Sequence, residues 1–515
     1  MAESAVDRLR RLLADVADLR GAAFLLTWDQ ATHMPPGGAA ARARQLALLK
    51  QVAHERFTSP ALARALAAAE RELDAIGAPD GGIERDLVRI TRRDLERDAA
   101  LPATFTRTFN EHLASSYQAW TEARPADDLA RMVPVLERTL DLSRELAQHL
   151  GPAEHVADPL IARSDHGVTV AQLSALFAQL RARLTPLLRA VAAAEPPDDG
   201  FLRGPYPLAA QFAFALERVR EFGYDTRRGR LDPTHHPFAI EFSIDDVRIT
   251  TRGRDDDLRE ALFCTFHESG HGMYHQGLDP RLEATPLADG TSAGVHESQS
   301  RTWENRVGRS LAYWRYAFPL LRDTFPQQLA GVDEIAFHRA INAVRPGVIR
   351  TQADEFSYDL HVIVRFELEL DLLAGRLAVA DLGEAWHERY RATLGVAADD
   401  DRNGALQDVH WFSREIGGAF QGYTLGNVLA AQFWQAAERD LGDLDARLAS
   451  GDVASLSAWQ RTNIHRHGRR VDPLDLVERV CGGGLDPEPY LDYLATKARD
   501  LFGVSLDADE GGRRP

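Results

Sequence analysis

The sequence predicts a mainly α-helical protein that carries one small β-hairpin. Along most of its 515 residues, apolar side chains recur at intervals of three and four positions, the spacing of one helix face. Ala, Leu, Arg and Glu dominate these stretches, and most of them favour helices. One segment alternates apolar and polar residues instead, which is the period of a strand. We find no internal repeat and no long Gly/Ser linker, so the pattern indicates one large unit over residues 1–515.

Helical stretches follow one another from the N-terminus onward. Residues 1–30 place acids and arginines between their leucines, which excludes a signal peptide, because that needs an uninterrupted apolar core. Further helical stretches cover residues 62–76, 173–194 and 359–378, and breaks rich in Pro, Gly or Asp fall at residues 34–38, 195–207, 231–237 and 481–489. The polar end, about residues 507–515, is expected to fray.

The composition excludes several classes of function. A formal net charge of −17 gives no basic surface for nucleic acid. The sequence contains no run of about 18 apolar residues, which is the length needed to span a membrane. The two cysteines, Cys264 and Cys481, are far apart, which excludes a disulfide framework and suits a reducing compartment. We therefore expect a cytoplasmic protein with no nucleic-acid or membrane partner.

The strand-like segment covers residues 237–252. Its apolar positions alternate from Phe238 to Ile244 and resume after Asp245–Asp246, which predicts a β-hairpin that turns at the two aspartates. A helix follows at once, with acids in its first turn and a buried stripe at every fourth residue up to Phe266. A small sheet is therefore expected to lead into this helix.

That helix contains the motif HESGH, residues 267–271. His267 and His271 are four residues apart, so their imidazoles lie one turn apart on one face and can bind a single zinc ion. Glu268 projects about 100° around the helix, from where it can reach a water molecule without being a ligand. Zinc lowers the pKa of bound water to about 7 and polarises a carbonyl, while a glutamate takes the proton.

Catalytic zinc needs a third protein ligand. His275 continues the four-residue spacing, but its ring would lie about 12 Å along the helix from that of His267, too far for one ion. Glu297 follows His271 across a Pro- and Gly-containing connection that lets a second helix turn back beside the first. Glu304, two turns further on, is the rival. Two histidines and one glutamate leave an open position for water, as catalytic zinc requires.

The chain resembles a known family in motifs that are spread over most of its length. The resemblance is to the thermostable metallocarboxypeptidases of the carboxypeptidase Taq type. The matching motifs are HPF (236–238), DVRIT (246–250), HESGH (267–271), HESQSRTWEN (296–305), VIRTQADE (348–355) and GALQDVHW (404–411), with further similarity at residues 28–38, 463–468 and 485–494. Six ordered motifs in one chain make the resemblance specific.

The resemblance implies a single metallocarboxypeptidase catalytic domain over residues 1–515. It implies a large, two-lobed, mainly helical peptidase fold related to neurolysin and angiotensin-converting enzyme, with the small sheet beside the active site, and a homodimer. The implied activity is release of single amino acids from the free C-terminus of peptides, with broad specificity. Carried over residue by residue, His267, His271 and Glu297 are the ligands of Zn²⁺, for which Co²⁺ can substitute, and Glu268 is the base.

A carboxypeptidase must also bind the terminal carboxylate of its substrate, and the planar fork of arginine matches a carboxylate. Arg248 and Arg350 lie in two matching motifs, and the sequence does not rank them. Asp246 can orient Arg248 from the same strand face, and Thr250, two residues further on in the same motif, is a further candidate for substrate binding. Asp408 is expected to orient a ligand or an arginine.

The remaining candidates come from the same motifs. The resemblance implies substrate contacts for His236, His296 and Gln299. It also implies that His410 and Tyr423 stabilise the transition state, where donors must face the developing oxyanion.

Two alternatives remain open at this point. An endo-acting zinc oligopeptidase of related helical fold would share the metal ligands and would need no carboxylate anchor. A binding or scaffold protein with a structural zinc would need four protein ligands and would leave Glu268 without a role.

Overall fold

Helices form most of the structure, a computed structural model that describes residues 3–505. The α-helices are α1 (Ala5–Thr32), α2 (Ala39–Phe57), α3 (Pro60–Ala75), α4 (Ile83–Ala99), α5 (Ala103–Ala126), α6 (Leu129–Leu150), α7 (Asp158–Ile161), α8 (Val170–Ala192), α9 (Leu208–Phe222), α10 (Arg259–Gln276), α11 (Ala293–Arg301), α12 (Leu311–Thr324), α13 (Glu334–Ile341), α14 (Tyr358–Leu373), α15 (Leu382–Leu394), α16 (His410–Ser413), α17 (Gln421–Leu441), α18 (Leu444–Ala449), α19 (Ala454–Asn463), α20 (Pro473–Cys481) and α21 (Glu488–Phe502). The predicted mainly α-helical fold is confirmed. The tail predicted at about 507–515 lies outside the described residues.

The chain divides into two compact units, and each is assembled from separate segments. Unit 1 comprises Met1–Leu101, Gly200–Glu334 and Ala436–Gly482. Unit 2 comprises Pro102–Asp199, Ile335–Gln435 and Gly483–Pro515. Within residues 3–505, no helix is both long and apolar enough to cross a membrane.

A three-stranded sheet lies in unit 1. Its strands are β1 (Leu231–Pro233), β2 (Ala239–Ser243) and β3 (Asp246–Thr251), in the order β1-β3-β2. β2 and β3 form the predicted hairpin, in which Ile240 pairs with Arg248, whereas β1 runs parallel to β3. Asp246 already belongs to β3, so the turn lies one residue earlier than the sequence predicts. β1 was not predicted, since three residues that include a proline show no strand period.

Close packing brings α10 against both β3 and α11. A Cβ at Gly270 would lie 2.5 Å from the backbone of Gln299 and Ser300 in α11, and a Cβ at Gly272 would lie 2.9 Å from Ile249 in β3. Only glycine therefore permits this approach. The helix that carries the HESGH motif is thus held between the sheet and α11.

Candidate metal centre and active site

Three side chains from the motifs HESGH (267–271) and HESQSRTWEN (296–305) converge in unit 1. His267 and His271 project from α10, and Glu297 projects from α11. One donor atom from each residue lies within 4.8 Å of those of the other two. Glu297 Oε2 is 3.8 Å from His267 Nε2 and 3.4 Å from His271 Nε2. Both Nε2 atoms therefore face the same carboxylate oxygen.

The other nitrogen of each imidazole has its own partner. His267 Nδ1 lies 2.8 Å from Glu304 Oε2, so it can donate its hydrogen to this carboxylate. His271 Nδ1 lies 2.5 Å from Nδ1 of His296. A partner at Nδ1 fixes the tautomer and the ring orientation of a histidine ligand, and leaves Nε2 with its lone pair toward the metal.

This geometry separates Glu297 from its rival Glu304. Glu304 contacts the side of the His267 ring that faces away from the donor cluster. α11 ends at Arg301 and the chain continues as a π-helix over Thr302–Val307, where the Gly308 N–H donates to the carbonyl of Trp303 at 3.0 Å. The π-helix changes the register beyond α11, so an α-helical face does not extend from Glu297 to Glu304.

Arg301 organises both glutamates. Its Nε donates to Glu297 Oε1 at 2.8 Å and its Nη1 donates to Glu304 Oε2 at 3.1 Å. With Oε1 held in this way, Oε2 of Glu297 is directed at the histidines. Burial opposes ionisation of both acids, but Arg301 and the histidines outweigh it: the pKa of Glu297 lies well below its usual value, and that of Glu304 falls to about 2.

The charge of the cluster favours a cation. Burial lowers the pKa of His267, but Glu297, Glu304 and Glu268 outweigh this effect and raise the pKa to about 9. The carboxylates thus hold a proton on His267 at neutral pH when no metal is bound. Two imidazole nitrogens and one carboxylate oxygen are donors that Zn²⁺ accepts, and three protein ligands leave a position open for water or substrate. The residues therefore fit a catalytic metal of this type.

Glu268 is buried beside the triad. Within residues 3–505 we find no donor that hydrogen-bonds to its carboxylate, and burial raises its pKa, against the attraction of His267 and His271. A buried carboxylate with a raised pKa and no donor to satisfy it is able to take up a proton.

The sheet carries a second set of candidates in unit 1. Both fork nitrogens of Arg248 donate to the carboxylate of Asp246, each at 2.9 Å, and the guanidinium lies 4.3 Å from the centre of the Trp28 ring. Thr250 is fully buried; its hydroxyl accepts from the N–H of Phe238 at 2.7 Å and donates to the Phe238 carbonyl at 2.9 Å. His236 is exposed, in the segment that leads into β2.

Two residues for which the resemblance implies substrate contacts, His296 and Gln299, also hydrogen-bond to protein side chains. Nε2 of His296 lies 2.7 Å from Nε2 of His275, while its Nδ1 faces His271. Gln299 is fully buried, and its side-chain oxygen lies 2.9 Å from Nε2 of His465. These contacts give both residues a supporting position in α11.

Unit 2 holds the remaining candidates around one carboxylate. Asp408 accepts two hydrogen bonds from Arg350, at 2.7 and 2.8 Å, and one from Nε of Arg365 at 2.8 Å. Its Oδ1 also lies 3.1 Å from Nδ1 of His410, and His410 Nε2 lies 3.1 Å from the hydroxyl of Tyr423. Arg350, His410 and Tyr423 are thus brought together around Asp408.

Protonation states follow from these contacts. Burial opposes the charge of Asp408, but the two arginines outweigh it and hold its pKa well below the usual value. Burial lowers the pKa of His410, so its imidazole is neutral. Two arginines against one carboxylate leave this cluster with an excess positive charge. Nearby, Nε1 of Trp411 donates to buried Glu369 at 2.9 Å, and burial raises the pKa of Glu369 to about 7.

Comparison with known proteins agrees with this geometry. The profile of the family described as "Carboxypeptidase Taq (M32) metallopeptidase" matches residues 8–498. The chain belongs to this family. It is 42% identical to "Thermostable carboxypeptidase 1" of Thermus thermophilus, over 97% of this chain and 99% of that protein. It is 33% identical to "Carboxypeptidase 1" of Bacillus subtilis, over 95% of this chain and 97% of that protein.

Solved structures of similar carboxypeptidases have the same fold. The M32 carboxypeptidase of Deinococcus radiodurans R1 superposes with a TM-score of 0.94 at 48% identity, over 97% of this chain and all of that one. Metallocarboxypeptidase 1 of Trypanosoma cruzi superposes with a TM-score of 0.90 at 30% identity, over 96% of this chain and 99% of that one. The protein is thus a metallocarboxypeptidase, as the sequence motifs predicted.

Sequence reasoning missed two arginines of these clusters. Arg301 lies inside the matching motif at 296–305, four residues after Glu297, and an i,i+4 pair on a helix could have identified it. Arg365 is fully buried in α14 within an apolar stretch, and a charged residue at such a position needs a partner. Its partner, Asp408, is distant in sequence, so no local pattern relates the two.

Proposed function

We propose that this metallocarboxypeptidase uses Zn²⁺, held by His267, His271 and Glu297, to release single amino acids from the free C-terminus of peptides. One observation carries the proposal: Nε2 of both histidines faces Glu297 Oε2, while both Nδ1 atoms have other partners. Such a site, when it holds zinc, acidifies water and polarises the scissile carbonyl. Co²⁺ accepts the same donors and is proposed as a substitute.

Glu268 is proposed as the general base. Its buried carboxylate would take a proton from the attacking water and transfer it to the leaving amine of the C-terminal residue. The raised pKa of Glu268 supports this role, because the proton must be held between the two steps.

Arg350 is proposed as the main anchor for the substrate carboxylate, with Arg248 as a second. Arg350 shares Asp408 with Arg365, so one positive charge is left over for a substrate anion. Arg248 is already neutralised by Asp246. A guanidinium held by a carboxylate on one edge is oriented for a second carboxylate on another.

His410 and Tyr423 are proposed to stabilise the oxyanion of the transition state. If His410 donates from Nδ1 to Asp408, its Nε2 accepts the hydrogen of Tyr423 and holds this hydroxyl in place. To stabilise the oxyanion, the O–H of Tyr423 would turn from His410 toward the substrate oxygen. His236 is proposed to contact substrate. His296, Gln299 and Thr250 are proposed as positioning residues, because their polar atoms are bonded to protein groups.

Broad specificity, a cytoplasmic location and a homodimer belong to the same proposal and rest on the resemblance to the family. Sedimentation of the purified protein tests the dimer. Digestion of a panel of peptides that differ only in the terminal residue tests the specificity.

One experiment tests the central proposal. An unmodified peptide and its C-terminally amidated twin are digested by the zinc-loaded protein, the chelated protein and the Glu268→Gln variant. We expect a ladder of single-residue losses from the free peptide alone, abolished by chelator and by the substitution. Internal cuts in both peptides would indicate an endo-acting oligopeptidase instead, and full activity of the Glu268→Gln variant would refute its role as a base.

A further inference from the structure

Unit 1 contains a second group of side chains that could hold a metal ion, at the last turn of α10. Glu241 projects from β2, His275 from α10, and Asp289 from the connection before α11. One donor atom of each lies within 4.8 Å of those of the other two. Nε2 of His275 is 3.5 Å from Oε2 of Glu241. Three elements distant in sequence therefore bring an imidazole and two carboxylates to one point.

We propose that Glu241, His275 and Asp289 form a second binding site for a divalent first-row transition-metal ion such as Zn²⁺ or Co²⁺. One nitrogen and two oxygen donors suit these ions better than Ca²⁺ or Mg²⁺, which prefer oxygen alone. Three protein ligands leave room for water in the remaining positions. The site is distinct from the triad, because it shares no residue with it.

The charges around the cluster support a cation. Two carboxylates approach each other with a single imidazole between them. Arg469, which lines the same cavity, donates to both oxygens of Asp94 at 2.7 and 2.8 Å, so its charge is already compensated. Arg20, the other arginine of the cavity, lies over the ring of Phe57 at 5.1 Å.

Individual contacts agree with this assignment. Among the described residues, we find no side chain that donates a hydrogen bond to Glu241. Burial raises the pKa of Glu241; His275 opposes this effect, and Asp289 adds to it. Asp289 accepts the N–H of Gly290 at 2.7 Å through Oδ1, which leaves Oδ2 for an ion.

Access is provided by a cavity of about 210 Å³ that reaches all three residues. This volume exceeds that of an ion with several waters, since each water occupies about 30 Å³. His275 is 5% exposed, whereas Glu241 is 31% exposed, and Asp289 is exposed as well. An ion can therefore enter from solvent, while His275 anchors it from the protein side.

The second site is connected to the triad through His296, whose two nitrogens contact His271 at 2.5 Å and His275 at 2.7 Å. An ion on Nε2 of His275 would compete with His296 for the same lone pair. Substitution of His275 would therefore disturb both sites. The decisive variants are for this reason Glu241→Gln and Asp289→Asn, which leave the histidine chain intact.

Metal stoichiometry of the full-length protein tests the proposal. Chelated protein is dialysed against Zn²⁺ at increasing concentration, and bound zinc is measured by elemental analysis. We expect two equivalents per chain in the wild type and one in Glu241→Gln and in Asp289→Asn. Glu297→Gln should lose the more tightly bound zinc ion and retain the more weakly bound one. A loss of zinc binding at either site can therefore be recognised independently of the other site.

Glu283→Gln is the matched control, because Glu283 lines the same cavity but accepts the N–H of Ile244 at 2.9 Å. It should retain both equivalents. Co²⁺ gives a second readout, since its visible spectrum reports its ligands: addition of a second equivalent should produce a new band that is missing in Asp289→Asn. A single equivalent in the wild type, or a second one that survives both decisive substitutions, would overturn the proposal.

Discussion

Glu304 contacts His267, a proposed metal ligand, without belonging to the proposed ligand triad, and its substitution by glutamine tests how the site is built. Its Oε2 accepts from His267 Nδ1 at 2.8 Å and from Arg301 at 3.1 Å. Glu304→Gln keeps an oxygen at this position and removes the negative charge. His267 therefore keeps a hydrogen-bond partner, but its imidazole becomes less basic because the neighbouring negative charge is gone.

Two opposing effects determine the magnitude. Loss of a carboxylate behind a histidine ligand weakens metal binding by about 10- to 100-fold, or about 1.4 to 2.7 kcal/mol. However, the pKa of His267 is about 9, so at pH 7 a metal must displace a proton at a cost of about 2.7 kcal/mol. Without the charge of Glu304, this pKa falls and the cost falls with it. The full loss of affinity is therefore expected above pH 9, and a smaller loss at pH 7.

The assay is zinc affinity as a function of pH, measured by competition with a chelating dye. Glu217→Gln is the control, because Glu217 forms an exposed ion pair with Arg220, and it should match the wild type at every pH. Glu297→Gln should lose far more affinity than Glu304→Gln. Equal affinity of Glu304→Gln and wild type at all pH values would refute the role of Glu304, and a loss as large as that of Glu297→Gln would identify Glu304 as a ligand.

Further outcomes are expected from the remaining groups. Glu268→Gln should retain zinc and reduce kcat by about 10² to 10⁴, because only the proton acceptor is lost; zinc content and turnover are measured together. Arg350→Lys should raise KM for free peptides, since a lysine cannot hold Asp408 and a substrate carboxylate in one plane; steady-state kinetics on a free peptide measure this, and an unchanged KM would exclude Arg350 as the anchor. His410→Ala and Tyr423→Phe should be non-additive in kcat, because each loses the same hydrogen bond; additive effects would separate their roles. The pKa of Glu369 is about 7 in the folded protein against an ordinary 4.5, so stability should fall by about 3 kcal/mol as pH rises through this window. Urea unfolding of Glu369→Gln should show this loss removed at pH 8, with no difference from the wild type below about pH 4.5.

Features with a local cause were predictable from the sequence. The hairpin follows from the alternation around Asp245, and the pair His267 and His271 follows from the helix period. Glu297 was a candidate third ligand because a Pro- and Gly-containing connection returns the chain to α10, with Glu304 as its rival, and the resemblance implied the choice of Glu297. For the hairpin and the histidine pair, a short pattern determines the geometry, so no knowledge of the tertiary fold is required.

Features that depend on contacts between distant segments were not predictable in this way. The resemblance implies a substrate contact for His296, and the structure places this residue between His271 and His275. The reason is that α11 packs against α10 through Gly270, at a distance that only the folded structure reveals. Spacing along the chain locates a histidine on a helix face, but it does not say which group meets that face.

The same limit applies to the choice between Glu297 and Glu304. Both residues lie in one motif, and in the structure both contact His267. Composition and spacing alone therefore do not show which of the two glutamates faces Nε2 of the ring. They differ because the π-helix that begins after Arg301 brings Glu304 to Nδ1 of the ring, while Arg301 turns Oε2 of Glu297 toward Nε2. A π-helical turn is rarely stable by itself and is frequent at functional sites. The turn therefore lets one stretch of chain contribute both Glu297, at the end of α11, and Glu304, which contacts the far side of the His267 ring.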